Sequence, residues 1–189
     1  MIEAIANLAT AFGLSTSAGL NAYLPLLIVA LTARFTSLIR LNHPFDALTS
    51  GWVILALAVL LVIETVADKV PVVDTVNDVV QTVVRPAAGA ILFAASTNVI
   101  TEVHPVLAMV CGVILAGSVH VVKVTARPLV TATAAGALNP VVSTAEDVVA
   151  AVVSLLALLL PILLILVVVV ALAIVIWRRG RSRPSPLGA

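Results

Sequence analysis

Long apolar runs alternate along this chain with short polar interruptions, and the interruptions set the elements it predicts. Ile5 to Leu20 is apolar but thins into Gly13, Ser15, Thr16, Ser17 and Gly19. Gly19 and Pro25 then bracket Asn21 within Ala18-Gly-Leu-Asn-Ala-Tyr-Leu-Pro25, and apolar character resumes to Thr32. The pattern predicts a helix that kinks or briefly unwinds near Asn21. Irregular backbone at membrane depth is tolerated only where protein or a wet cavity surrounds it. A proline-kinked helix whose Asn21 bonds a neighbouring backbone is the simpler alternative.

Arg34, Arg40, His43, Pro44 and Asp46 mark a loop, and its two arginines make it cytoplasmic by the positive-inside tendency. Gly51-Trp52 opens the next span, with Trp52 at the interface, and Glu64 and Asp68 stand at its far end. This helix should stop near Lys69, because Pro71 disfavours helical backbone at Val70. Pro71 to Arg85 reads as a new amphipathic helix. Asp74, Asn77, Asp78, Gln81 and Arg85 form one polar stripe on it, and valines cover the remainder. At that length it is too short to span, so it is either interfacial or half of a re-entrant hairpin returning through Pro86 to Ala95. Ser96 to Pro105, with Glu102 and His104 but no Lys or Arg, reads as an extracytoplasmic loop.

Val106 to Val122 is a clear span that runs into His120, Lys123 and Arg127, a basic stripe at helical spacing. Pro128 should interrupt it. Thr131 to Asn139-Pro140 is rich in Ala, Thr and Gly, small residues that allow close helix approach or homo-oligomer contacts. Ser143-Thr-Ala-Glu146 fits a capping box, which places the start of the final helix there and sets Glu146 and Asp147 in its first turn. Val148 to Trp177 is apolar except for Ser154, and longer than the roughly 30 Å hydrocarbon core requires, so it must tilt, kink at Pro161 or project. Two echoes suggest a weak internal duplication. The phrase ending Arg85-Pro86 parallels the one ending Arg127-Pro128, and Ala18-Gly-Leu-Asn21 parallels Ala135-Gly-Ala-Leu-Asn139.

With 62% hydrophobic and 10% charged residues, the composition is that of an integral membrane protein rather than a soluble domain. The reading is an all-α membrane bundle of about five to six hydrophobic segments with broken or re-entrant helices. Residues 1–177 make one transmembrane domain, and 178–189 a basic, disordered cytoplasmic tail. The single Cys111 lies in an apolar run and serves as a small hydrophobe. Subtracting Arg178, Arg179, Arg181 and Arg183 from the formal net charge of +1 leaves the body at −3. An acidic body argues against a nucleic-acid partner.

Charge is concentrated in two places, Glu64 to Arg85 and His120 to Asp147. Ionised side chains are expensive in hydrocarbon and tend to mark ion pathways, proton relays or ligand sites. The two stretches are therefore expected to meet inside the bundle around a polar chamber. Candidate pathway residues are Asn21, Glu64, Asp68, Lys69, Asp74, Asn77, Asp78, Arg85, His120, Lys123, Arg127, Asn139, Glu146 and Asp147. Asp74 and Asp78, one helical turn apart, are weak candidates for a divalent cation. No other cofactor is expected.

Several phrases taken together carry a resemblance: Ala18 to Pro25, Glu64-Thr-Val-Ala-Asp-Lys-Val-Pro-Val-Val-Asp74, Arg85-Pro-Ala-Ala-Gly89 and Asn139-Pro-Val-Val-Ser-Thr-Ala-Glu-Asp147. On them the chain resembles a prokaryotic integral membrane protein family known as domain of unknown function 4126, over nearly everything but the basic tail. The resemblance implies a bacterial cytoplasmic membrane and brings no activity with it. The residues themselves favour a small permease. Arg85, Lys123 and Arg127 would attract an anionic solute or lipid head group, and the carboxylates a coupling cation or proton. A metal-dependent enzyme acting on a lipid is the alternative, although no phosphate loop, zinc helix or nucleophile elbow occurs. A non-catalytic scaffold held by ion pairs is the third reading. The Trp177-Arg-Arg end places the C-terminus in the cytoplasm.

Overall fold

The computed structural model describes residues 2–69, 71–97, 104–134 and 138–181. Among them there are six helices and no strand: α1 (Ile2–Ala18), α2 (Tyr23–Phe35), α3 (Gly51–Ala67), α4 (Pro71–Thr97), α5 (Pro105–Ala134) and α6 (Asn139–Arg181). A short 3₁₀ turn, Phe45–Thr49, precedes α3. The segments Val76–Thr97, Pro105–Leu129 and Asn139–Leu160 are long and apolar enough to cross a membrane.

The bundle is apolar outside and polar within. On α4, Val76, Val79 and Val83 are 65%, 71% and 73% exposed, while Asp78, Gln81 and Arg85 of the same helix are buried. The apolar core is built from small side chains, among them Ala11, Ala18, Ala30, Ala88, Ala94, Ala116 and Ala150. Small residues let helix backbones approach closely, which is how helices pack when burying apolar area gains nothing.

The break predicted near Asn21 is present, and it is a reversal rather than a kink. Asn7 and Thr10 of α1 line the same cavity as Ser37 to Leu41, which follow α2. The two helices therefore run antiparallel, and residues 19–22 form the tip of a hairpin. The amides of Leu20 and Asn21 close on the Ser17 carbonyl at 3.0 and 3.2 Å. Glycine is required in this tip, because a Cβ at Gly19 would stand 2.5 Å from the Ala116 carbonyl oxygen of α5.

Three sequence expectations fail at prolines or caps. Helix α4 runs unbroken through Pro86, so Pro71 to Ala95 is neither an interfacial helix nor a re-entrant hairpin. Helix α5 likewise continues through Pro128. An internal proline deletes one backbone bond, and packed neighbours make that loss tolerable. Helix α6 opens at Asn139 and not at Ser143. Pro140 sits in its first turn, where a missing N–H removes nothing, and the amides of Val141 and Val142 both close on the Leu138 carbonyl at 3.0 Å. The helix is 43 residues long, takes in Pro161 and extends to Arg181; residues 182–189 lie outside the described residues. The extracytoplasmic reading of 96–105 also conflicts with a cytoplasmic Arg34–Asp46 loop. Ser96 and Arg40 line one cavity at the same end of the bundle.

Helices α4 and α5 meet glycine to glycine. A Cβ at Gly89 would lie 2.6 Å from the Gly112 carbonyl oxygen, and one at Gly112 would lie 2.7 Å from the Ala90 Cα. Gly112→Ala must therefore push the two backbones apart. It is expected to cost about 1–3 kcal/mol, read as an earlier midpoint in denaturing-detergent titration of the purified protein. An unchanged midpoint would contradict this close approach.

A buried ionic cluster at the hairpin tip

The hairpin tip carries two helix ends into the bundle, and each is met by a polar side chain. Asn21 Oδ1 accepts from the amides of Tyr23 and Leu24 at 3.1 and 2.9 Å, capping the start of α2. Its Nδ2 donates to Asp147 Oδ1 of α6 at 2.9 Å. The carbonyl of Leu20, just past the end of α1, accepts from Lys123 Nζ of α5 at 3.3 Å. A cation at a helix C-terminus is favoured by the helix dipole.

Around the tip, α3 to α6 supply charges that touch one another. Asp68, the C-cap of α3, is the hub. Its Oδ2 lies 3.2 Å from Lys123 Nζ, 3.8 Å from Arg85 Nη2 and 4.0 Å from Arg127 Nη1. Its Oδ1 accepts from Asn77 Nδ2 at 2.8 Å, and its backbone carbonyl accepts from Arg127 Nη2 at 3.3 Å. Arg85 Nη2 also donates to Glu64 Oε1 at 3.0 Å, with both side chains almost fully buried. Lys123 reaches Glu146 Oε2 at 2.8 Å, and Arg127 Nη1 lies 3.5 Å from Asp78 Oδ1.

The position of His120 fixes its proton. Its Nδ1 lies 3.0 Å from Arg85 Nη1, and a guanidinium can only donate, so Nδ1 is the acceptor. The hydrogen therefore sits on Nε2, which donates to Thr82 Oγ1 at 3.1 Å, while Thr82 passes its own hydrogen to the Asp78 carbonyl at 2.9 Å. In this arrangement the imidazole is neutral and orients the arginine.

Two further properties bear on chemistry. Among the described residues, four carboxylates (Glu64, Asp68, Asp78, Glu146) lie within 4.0 Å of three basic side chains (Arg85, Lys123, Arg127), and a fifth, Asp147, is held by Asn21. The cluster is therefore acidic in sum. Secondly, Glu64 Oε2, Gln81 Oε1 and Ser143 Oγ are buried with no hydrogen-bond partner among the described residues. Such atoms are uncommon in folded proteins, and an unseen ion, water or proton is one way to satisfy them.

Residues 8–180 match the family described as Domain of unknown function (DUF4126). The chain belongs to that family. No curated protein and no solved structure matches it.

The DUF4126 chain thus brings together most of the residues singled out by their charge. Asn21, Glu64, Asp68, Asn77, Asp78, Arg85, His120, Lys123, Arg127, Glu146 and Asp147 all belong to the cluster. Lys69 does not, because it follows the end of α3 and is exposed. Asn139 is buried at the start of α6. The side chain of Asp74 lies outside the described residues, so the Asp74–Asp78 cation pair does as well. Among the described residues no three His, Cys, Asp or Glu side chains are placed to hold a metal. Thr82 and the Leu20 carbonyl escaped the sequence reading. Thr82 could have been suspected from its place between Asp78 and Arg85 on α4, whereas a backbone carbonyl leaves no trace in a sequence. A buried hydroxyl pair, Ser17–Ser154 at 2.6 Å, was also missed, and it ties α1 to α6 just above the cluster.

Proposed function

We propose that this DUF4126 protein is a small membrane permease whose ionic cluster couples the movement of an anionic solute or lipid-linked acidic group to a cation or proton. The observation that carries this reading is the convergence of an acidic, largely buried charge cluster on the tip of a helical hairpin within an apolar-surfaced bundle. Broken helices with their ends turned to charged groups are how several transporter folds bind solutes near the membrane midplane. Arg127 and Lys123 supply the positive charge that would receive the acidic group, since guanidinium holds carboxylate or phosphate through two donors. The surplus carboxylates, Glu64 first among them with its bare Oε2, would carry the coupling ion.

Glu64→Gln tests this, because it fixes the side chain in a form resembling the protonated acid. Reconstituted into vesicles and screened with small carboxylates and phosphates, the natural protein should accumulate one class of these when the outside is acidic. The variant should still exchange that solute and lose gradient-driven accumulation by about tenfold or more, the scale set by one charge-assisted interaction. If no carboxylate or phosphate moves faster than in protein-free vesicles, the permease reading fails.

One observation favours a second, structural reading. Arg85, Lys123 and Arg127 all lie within 4.0 Å of a carboxylate, so the cluster can serve simply to clasp α3, α4, α5 and α6. Replacing partners in matched pairs separates the two, as argued in the Discussion.

A further inference from the structure

A cavity of about 300 Å³ lies at the end of the bundle away from the cluster. Its walls come from Asn7, Thr10 and Leu14 of α1, Val29 of α2, Ser37 to Leu41 of the following connection, Ala95 and Ser96 at the end of α4, and Leu158 of α6. Leu14, the lining residue of α1 nearest the hairpin tip, and Leu20 are six residues apart, which puts roughly 9 Å of helix between the cavity and the cluster. The permease reading makes no use of this cavity.

The walls are sorted by chemistry. Leu14 and Val29 are only 1% and 2% exposed, and with Leu158 they form an apolar floor. Arg40 stands at the solvent-facing rim, with Asn7, Ser37 and Ser96 as the polar neighbours. The other cations of the body have partners or lie elsewhere. Arg34 donates to the Thr49 carbonyl at 2.8 Å, Arg85, Lys123 and Arg127 belong to the cluster, and Lys69 follows α3. Arg40 has neither an ion pair nor a hydrogen bond among the described residues. Thr10, on the wall, spends its hydrogen on the Ala157 carbonyl at 2.8 Å and can only accept from a guest.

We infer that this cavity binds an anionic amphiphile, with its carboxylate or phosphate on Arg40 and its first carbons on Leu14, Val29 and Leu158. At about 30 Å³ per small group, the space suits roughly ten non-hydrogen atoms. That is a head group and short stem, or a whole medium-chain fatty acid. A neutral alcohol would bury the same stem and leave Arg40 without a partner. A bare anion would leave the apolar floor uncovered.

The test uses the full chain in nanodiscs of a zwitterionic lipid, titrated by calorimetry with octanoate, octanol and inorganic phosphate. Octanoate should bind saturably at one site, at least about tenfold more tightly than octanol or phosphate. Arg40→Gln should erase that advantage and Arg40→Lys should retain most of it. Arg40 is exposed, so neither change threatens folding. Ser96→Leu, which narrows the cavity, should weaken octanoate as well. Repeating the titration with phosphatidylglycerol in the discs distinguishes the source. Competition identifies the occupant as a lipid head group, and undiminished octanoate binding identifies a free amphiphile. Equal binding of octanoate and octanol, or octanoate binding unchanged in Arg40→Gln, would overturn the inference.

Discussion

Arg85→Ala is expected to lower the free energy of unfolding by about 3–5 kcal/mol, because it leaves Glu64 and Asp68 as buried charges without their partner. That is a large part of the roughly 5–15 kcal/mol that separates a folded domain from its unfolded chain. The guanidinium is the most completely enclosed charge in the cluster, and it touches three groups from two other helices: Glu64 and Asp68 at the end of α3, and His120 of α5. Loss of its side chain also strands the His120 Nδ1 lone pair. The companion experiment replaces both members of the shortest pair, as in Arg85→Met with Glu64→Leu. Buried ion pairs contribute little net stability over well-packed apolar side chains, so the double variant should recover most of the lost stability. Denaturing-detergent titration of the four proteins closes the cycle. If the double variant is stable and still moves solute, the pair is merely a clasp. If it is stable and inert, the charges themselves are needed for the coupling we propose. Arg85→Ala as stable as the natural protein would mean that the pairs do not form.

Asp68→Asn is expected to be nearly as damaging, by about 3–5 kcal/mol, for the opposite reason. Its carboxylate is the shared counter-charge of Lys123, Arg85 and Arg127, all within 4.0 Å. Neutralising it leaves three cations crowded together with Glu64, Asp78 and Glu146 at the margins. The amide can still accept from one of them, so the fold should survive at low temperature with a lowered midpoint. The bond from Asn77 Nδ2 at 2.8 Å need not be lost, since an amide oxygen accepts as well. A selective signature follows: Asp68→Asn should be rescued in part by Lys123→Met, which removes the extra cation, but not by Asn77→Ala. Rescue by neither, or by both equally, would show that Asp68 is not the charge hub.

Much of this cluster was visible in the residue pattern. His120, Lys123 and Arg127 share a helical face, as do Asp78, Gln81 and Arg85, and in each case the whole face is buried. The reason is physical: with so few charges in an apolar chain, each needs an opposite charge nearby, and only the other stripe can supply it. The interruption near Asn21 was legible for a similar reason, because glycine and a capping amide together end one helix and begin another. Other features followed rules that tertiary packing overrode. Pro86 and Pro128 are expected to stop a helix, yet α4 and α5 continue through both, and for Pro86 the close approach of Gly89 to Gly112 packs α4 against α5 one turn further on. Ser143 and Glu146 matched a capping box, yet the helix starts one turn earlier at Asn139, which leaves Ser143 buried in its interior and Glu146 free to reach Lys123. Lys69 carried the right charge in the right stretch but falls on the turn after α3, pointing away. No sequence signal identified Asp147 as the partner of Asn21, since that bond joins residues 126 positions apart.

The doubling back of α1 onto α2 also settles a matter of parity. The start of α1 and the connection after α2 lie at the same end of the bundle, so this pair contributes no net pass. From there α3 leads away, α4 comes back, α5 leads away and α6 heads back again, from Asp147 beside the cluster toward Leu158 beside the cavity. Among the described residues, the arginines outside the cluster, Arg34 in the last turn of α2, Arg40 in the connection after it, and Arg178, Arg179 and Arg181 at the far end of α6, thereby fall at one pole. A molecule sorted in this manner has an electrostatic polarity of its own, with these arginines at the end opposite the buried cluster.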